Sequence, residues 1–185
     1  FMPLDEACIR NLELFYTNME NKKEGSLINV LDETVTSMGG RMLRKWLLNP
    51  LLDKGKIDSR LNRIDILLKN SMLLRELRDK LSNIYDIERL LSRLSLGSGN
   101  ARDLIALKES LKIVPELKIL IKEQLPKISE NLLPLSALTN LIDKAILDEA
   151  SNSIRDGGMI KDGYNSELDD LRSISSEGKT FIKNL

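Results

Sequence analysis

Apolar residues recur along most of the chain at spacings of three and four residues, which is the period of an amphipathic α-helix. The clearest example begins after Thr36, a residue type that favours helix N-caps, and ends at about Asn49, before the helix-breaking Pro50. We expect Trp46 to anchor this helix in the core, because a buried aromatic ring contributes a large apolar area. The apolar stripe comprises Met38, Met42, Leu43, Trp46 and Leu47.

The same spacing predicts a succession of short antiparallel helices joined by short turns. Ahead of them, the alternation of Leu12, Leu14 and Tyr16 with polar residues favours a short strand. The predicted helices run from Ser26 to about Glu33, 36–49, from Asp53 to Asn70, 71–82, from Asp86, and from Asn100 to a point before Pro115, with shorter helices punctuated by Pro126 and Pro134. The fold class is therefore mainly α, a multi-helix core bundle.

Near residue 150 the pattern changes. Turn-forming glycines at 157, 158 and 163 surround Met159 and Ile160, which predicts a small extended arm or hairpin over 151–164. Asn165 then caps a long C-terminal helix over 165–185. Its apolar positions have coiled-coil spacing and comprise Leu171, Ile174, Gly178, Phe181 and Leu185. This pattern divides the chain into a helical core subdomain (1–150), an arm (151–164) and the start of a long C-terminal helix (165–185).

Both chain ends look cut. The apolar stripe of the last helix reaches Leu185 without a capping glycine, a proline or a polar tail, and Phe1-Met2-Pro3 does not resemble a translation start. We therefore expect the chain to be a piece of a longer protein.

Composition supports the helical interpretation and limits the function classes. Aromatic residues make up only 4%, and the formal net charge is zero, whereas a free-standing nucleic-acid module is usually basic. Residues 36–60 carry a local positive excess, which a solvated helix face explains better than phosphate contacts. Its basic members are Arg41, Arg44, Lys45, Lys54, Lys56 and Arg60, against Asp53 and Asp58.

Residues able to carry catalysis are scarce. The chain has no histidine, which removes the commonest general base, and its single Cys8 is expected to be a buried small hydrophobe. Gly178-Lys179-Thr180 has the last letters of a phosphate-binding loop, but it lies in a helical pattern and Ser173 stands where the first glycine belongs. We therefore assign no catalytic, cofactor-binding or metal-binding residue. No apolar run is long enough for a membrane span, so the cytoplasm is the expected location.

Four sequence blocks are typical of one family. They are Arg10-Asn11-Leu12-Glu13-Leu14; Ser26-Leu27 through Leu31-Asp32-Glu33-Thr34-Val35-Thr36-Ser37-Met38-Gly39-Gly40-Arg41-Met42-Leu43-Arg44-Lys45-Trp46-Leu47; Pro50-Leu51-Leu52-Asp53 through Arg60-Leu61; and Arg155-Asp156-Gly157-Gly158 through Gly163-Tyr164. The blocks occur in the order that is typical of the family, and with them the chain resembles the central core-and-lever region of the bacterial MutS DNA mismatch-repair family.

The resemblance implies a homodimeric clamp that recognises mispaired double-stranded DNA and uses ATP with Mg²⁺ to signal repair, with a downstream repair mediator as a further partner. In that family the mismatch-reading domain, the DNA clamp and the ATPase lie outside the region matched here. The fragment itself is then neither an enzyme nor a cofactor site, and the helix from Asn165 matches the lever that leads to the clamp.

We hypothesise that the 36–49 helix and the 154–164 arm brace the base of this lever, because both family-like segments contain glycines. The candidate structural residues are Gly39, Arg41, Arg44, Trp46, Arg155, Gly157, Gly158 and Tyr164. Two other interpretations stay open. One is a helical protein–protein interaction scaffold unrelated to DNA repair, and the other is an independent enzyme domain, which the missing histidine disfavours.

Overall fold

The structure is a computed structural model that describes the backbone of residues 1–151 and 154–183 and the side chains of residues 1–151 and 155–175. It is mainly helical, as predicted, and no strand is present in the described part. The α-helices are α1 (Glu6–Asn11), α2 (Leu27–Leu31), α3 (Ser37–Leu48), α4 (Lys54–Lys69), α5 (Ser71–Ser82), α6 (Ile87–Ser95), α7 (Ala101–Ile121), α8 (Pro126–Asn131), α9 (Ser136–Ala145) and α10 (Ser166–Lys183).

Three predicted N-caps account for the starts of α3, α4 and α10. Thr36 Oγ1 accepts a hydrogen bond from the Gly39 amide at 2.9 Å, and Asp53 Oδ1 accepts one from Lys56. Asn165 Oδ1 accepts one from Leu168 at 2.9 Å, so α10 begins where its sequence predicts. Each cap satisfies an amide that has no partner within its own helix.

The predicted strand over 12–16 is wrong. Leu12 ends α1 as its C-cap, and Glu13 has a left-handed φ of 48°, which breaks any extended run. The carbonyls of Glu13 and Leu14 accept hydrogen bonds from Leu27 and Ile28, so this turn closes onto the start of α2. Leu14 and Ile28 are both buried there. Of the alternating apolar residues, only Leu14 is buried, whereas Leu12 and Tyr16 are exposed.

The prediction that a helix ends before Pro115 is also wrong, because α7 continues through the proline to Ile121. An internal proline removes one backbone hydrogen bond and costs roughly 3 kcal/mol. Leu111, Leu117 and Ile121 on either side of it are all buried. We infer that this burial outweighs the local cost.

The chain forms two compact units. The predicted boundaries of the core, the arm and the last helix stay predictions. Unit 1 comprises 1–89 and 113–134, and unit 2 comprises 90–112 and 135–185. The core of unit 2 is formed by Ala101, Ile142, Ala145, Ile146 and Ala150, with Leu104, Ile105, Met159 and Ile160 packed against it. Buried apolar residues of unit 1 include Leu14, Ile28, Leu73, Leu117, Ile121 and Leu125.

The described part of the predicted arm pairs with the segment after α9. A 3₁₀ turn at Ile154–Asp156 leads into it, and Ile160 then forms an antiparallel bridge with Ile146 just after α9. Leu171 and Ile174 of the predicted coiled-coil stripe are exposed on α10. Leu185 and the side chains of Gly178 and Phe181 lie outside the described residues. Residues 178–180 are helical, as their pattern predicts.

Candidate functional site at the base of the last helix

The arm and the first turns of α10 are joined by an arginine. Arg172 donates from Nη1 to Asp162 Oδ1 at 2.7 Å and from Nη2 to the Ile160 carbonyl at 3.0 Å. In return, the Gly163 amide donates to Asp169 Oδ2 at 2.8 Å. These contacts run in both directions between arm and helix, so they fix the direction in which α10 leaves the arm.

The other edge of the arm is fastened to the end of α9. The Lys161 amide donates to the Ala145 carbonyl at 2.8 Å, and the Leu147 amide donates to the Met159 carbonyl at 2.8 Å. Gly157 and Gly158 precede this pairing with φ values of +67° and +65°. That left-handed conformation is strained for residues with a side chain. The two predicted glycines therefore set the bend that brings the arm back to α9.

An apolar groove of about 440 Å³ lies between the arm and the helices of unit 2. Its walls include Leu104 on α7, Met159 and Ile160 on the arm, and Leu168 on α10. A smaller hollow of about 360 Å³ lies beside it, and Tyr164 and Leu171 line that hollow. Apolar side chains from the first turns of α10 therefore line both hollows.

Lys108 on α7 is a site residue that the sequence interpretation missed. Its side chain is only 3% exposed, and its Nζ lies 2.8 Å from Asp148 Oδ1 and 3.0 Å from Asp143 Oδ1. These hydrogen bonds raise the pKa of Lys108 and lower the pKa values of both aspartates. The available signal was a lysine placed between Leu104, Leu107 and Leu111, on the apolar face of its helix.

In unit 1, the predicted residues of α3 form a separate group. Arg41 donates to both oxygens of Asp86, at 2.6 and 2.7 Å, and to Glu88 Oε2 at 2.6 Å. This pairing lowers the pKa of Asp86 and raises the pKa of Arg41. Since Asp86 also caps α6 through the Arg89 amide, Arg41 ties α3 to the start of that helix.

Gly39 is required by close packing at the start of α3. A Cβ built on it would lie 2.9 Å from Thr36 Oγ1, the atom that caps the helix. It would also lie 3.4 Å from Thr34 Cβ. A side chain at this position would therefore displace the cap.

Trp46 is not the buried anchor that its apolar stripe predicts, because its side chain is 41% exposed. The Arg60 guanidinium lies 3.9 Å from the centre of its ring. Arg44 lies 4.8 Å from the centre of the Phe15 ring in the same way. Both arginines are held by cation–π contacts within unit 1.

Most of the basic side chains over 36–60 contact other residues of the same chain. Arg41, Arg44 and Arg60 have the contacts described above, and Lys54 pairs with Asp58 at 3.0 Å. Only Lys45 and Lys56 have no side-chain partner among the described residues. These contacts favour the interpretation that the positive charge belongs to solvated helix faces, rather than to a phosphate-binding surface.

Cys8 is exposed, which corrects the prediction of a buried thiol. Asp5 raises the pKa of the Cys8 thiol through a hydrogen bond and its negative charge. A raised pKa reduces the thiolate fraction, so the thiol is a poor nucleophile. Within the described residues, no cluster of acidic or sulfur ligands suits a metal ion, and no helix is long and apolar enough to cross a membrane.

The structure brings only part of the predicted set together. Gly157, Gly158 and Tyr164 lie with the arm at the base of α10, and Arg155 is exposed just before them. Gly39, Arg41, Arg44 and Trp46 belong to unit 1. The hypothesis that α3 braces the same base, and the coupling roles of all eight residues, stay predictions.

Comparisons with known proteins agree on one family. The family model for MutS domain III matches residues 7–185. The chain is 49% identical over 189 residues to the DNA mismatch repair protein MutS of Halothermothrix orenii, which covers 100% of the chain and 21% of that protein. It is 47% identical to the MutS protein of Ruminiclostridium cellulolyticum, with 98% of the chain and 21% of that protein covered. It is 44% identical to the MutS protein of Caldanaerobacter subterraneus subsp. tengcongensis, with 100% and 22% covered. The chain thus spans about a fifth of the length of these curated relatives.

Proposed function

The chain belongs to the MutS domain III family and is a core domain of a mismatch-repair protein, and from that premise we propose that it mechanically links a DNA-holding part of that protein to an ATP-hydrolysing part. Mismatched double-stranded DNA is the proposed substrate of the whole protein, since its relatives are named DNA mismatch repair proteins. A homodimer, a downstream repair mediator, and ATP with Mg²⁺ bound outside this chain complete the proposal.

The observation that carries the proposal is the fastening of α10 to the arm by Arg172. α10 has 18 residues and would span roughly 27 Å. A helix transmits a displacement over such a distance only when its base is held, because otherwise it pivots at the connection. Arg172, Asp169 and the Gly163 amide supply that hold.

The alternative of a helical interaction scaffold unrelated to DNA repair loses its support, because the chain belongs to this family. The isolated chain should then neither bind ATP nor bind DNA strongly. We expect at most weak, salt-sensitive DNA binding, since the net charge is zero. A sub-micromolar affinity for a mismatched duplex at physiological salt would contradict this expectation.

The link itself is tested by straining the bend of the arm. Gly157→Val in the natural protein that contains this chain should weaken the effect of mismatched DNA on ATP turnover. Gly97→Val is a matched control, because Gly97 has a φ of +69° against +67° for Gly157 and neither Cβ would meet a neighbour within 4 Å. The proposed link would be contradicted if both variants lost coupling equally, or if neither variant lost it. Thermal melts check that both variants stay folded.

A further inference from the structure

Two lysines from different elements share the same pair of aspartates. Lys108 Nζ, buried on α7, contacts Asp148 Oδ1 at 2.8 Å and Asp143 Oδ1 at 3.0 Å. Lys161 Nζ, on the arm, donates to the Asp143 carbonyl at 2.7 Å and lies 3.6 Å from Asp148 Oδ2. The two oxygens of Asp148 thus face one lysine each. Replacing either lysine should therefore shift the Asp148 carboxylate and change its contact with the other lysine.

The arm's contact with α10 begins at the residue that carries the second lysine. The Ile160 carbonyl and the Lys161 amide are the two ends of one planar peptide group. Its N–H donates to the Ala145 carbonyl at 2.8 Å, and its C=O accepts from Arg172 Nη2 at 3.0 Å. One rigid group is therefore held on one edge by the end of α9 and holds α10 on the other. Any rotation of this peptide breaks both contacts.

We propose that Lys108 and Lys161 are positioning residues, which fix the 160–161 peptide through Asp143 and Asp148 and thereby hold the base of α10. The functional part of this inference rests on the proposed function, in which α10 transmits between DNA and ATP. The polar path runs from Lys108 through Asp148 and Lys161 to Arg172, and it lies entirely within unit 2. Contiguous networks of this kind are a physical route for coupling.

A purely structural role for Lys108 predicts a different outcome from a positioning role. Methionine has a similar length and no charge. Removing one partner of an ion pair destabilises a protein chiefly when the charge that remains is buried and unpaired. Asp143 and Asp148 have side chains 51% and 65% exposed, so water can solvate them when the amine is removed. Lys108→Met should therefore loosen the arm without unfolding the domain.

The test is hydrogen exchange, followed by mass spectrometry, in the natural protein that contains this chain. Lys108→Met and Lys161→Met should each speed exchange about tenfold in peptides from 144–163. A tenfold change corresponds to the net free energy of about one hydrogen bond. The double variant should exchange no faster than the faster single variant, since both lysines act through the same aspartates. Peptides from 54–82, in α4 and α5, should be unchanged.

Lys112→Met is the matched control, because Lys112 lies one turn along α7, is 48% exposed and reaches Asp143 only at 3.9 Å. It should leave exchange over 144–163 unchanged. If Lys108→Met does not fold, Asp148→Asn takes its place, because the Asp148 side chain lies on the surface. This variant should give the same increase of about tenfold in exchange. Unchanged exchange in both single variants would overturn the inference. So would a hundredfold increase in the double variant, or a uniform increase in all peptides.

This experiment needs neither DNA nor ATP, so it fails independently of the proposed function. If the arm loosens as expected while the effect of DNA on ATP turnover is unchanged, the positioning role stands and the proposed link fails. If exchange does not change but Gly157→Val still uncouples the protein, the link stands and the lysine path is overturned.

Discussion

Arg41 holds two carboxylates with one guanidinium group, and lysine cannot reproduce that geometry. Arg41→Lys should therefore lower the melting temperature, because Asp86 loses its paired hydrogen bonds while keeping its cap of α6. Lys45→Arg, on the same helix and without a described side-chain partner, serves as a control that should leave melting unchanged. Equal melting temperatures for Arg41→Lys and the unaltered protein would contradict the assigned role.

Gly157 offers a second prediction at the residue scale. Because its φ is +67° and no neighbour lies within 4 Å of its Cβ position, a substitution costs backbone strain alone. Gly157→Ala should lower the free energy of unfolding by roughly 1 kcal/mol, and Gly157→Asn by less, because asparagine tolerates this conformation better. Denaturant titration measures both values. An alanine variant as stable as the asparagine variant would count against the strain argument.

The sequence predicted residues with local roles better than residues with distant partners. Thr36, Asp53 and Asn165 are caps because their side chains bond to amides three residues away, and that relation is visible in the sequence. The burial of Lys108 depends on Asp143 and Asp148, which lie 35 and 40 residues away. The exposure of Trp46 likewise depends on tertiary packing that helical periodicity does not specify.

At the scale of elements, α7 is the helix whose length was mispredicted. Pro115 removes one hydrogen bond from it, and the helix continues because its flanking residues are buried. Pro115→Ala should restore that bond and raise the free energy of unfolding by roughly 1 kcal/mol or more. Chemical denaturation with and without the substitution tests this expectation. A loss of stability would mean that the proline ring itself supplies essential packing.

The sequence predicts turns in the arm but not the segment with which the arm pairs. Glycines at 157, 158 and 163 predict turns, and these are three of the five described glycines with positive φ. The bridge partner, Ile146, lies 14 positions earlier, at the end of α9. A hairpin within 154–164 and a pairing with α9 give the same local pattern, so the sequence alone does not separate them.

At the scale of the whole molecule, acid should destabilise the fold before base does. Arg41 holds the pKa of Asp86 below its ordinary value, and Lys108 does the same for Asp143 and Asp148. Carboxylates with lowered folded-state pKa values stabilise the fold above their unfolded value of about 3.9, and this contribution disappears as pH falls below it. The raised pKa of Lys108 adds stability that disappears only above about pH 10.4.

Melting temperature should therefore change little near neutral pH and fall below about pH 4. The decline should be shallower in Lys108→Met, because Asp143 and Asp148 then have more ordinary pKa values. Thermal melts between about pH 3 and pH 7 measure both slopes. Parallel curves for the two proteins would contradict the assigned ion pairs.

The central claim is that a held α10 couples DNA binding to ATP turnover, and Arg172 is the residue that tests it most directly. Arg172→Met in the natural protein removes the bonds to Asp162 and the Ile160 carbonyl, whereas Arg63→Met removes an exposed arginine of α4 without a described partner. The measurement is the ATP turnover rate with and without a mismatched duplex. We predict that Arg172→Met keeps the rate without DNA and loses most of the change that DNA causes, while Arg63→Met keeps both. A normal response to DNA in a folded Arg172→Met protein would contradict the account.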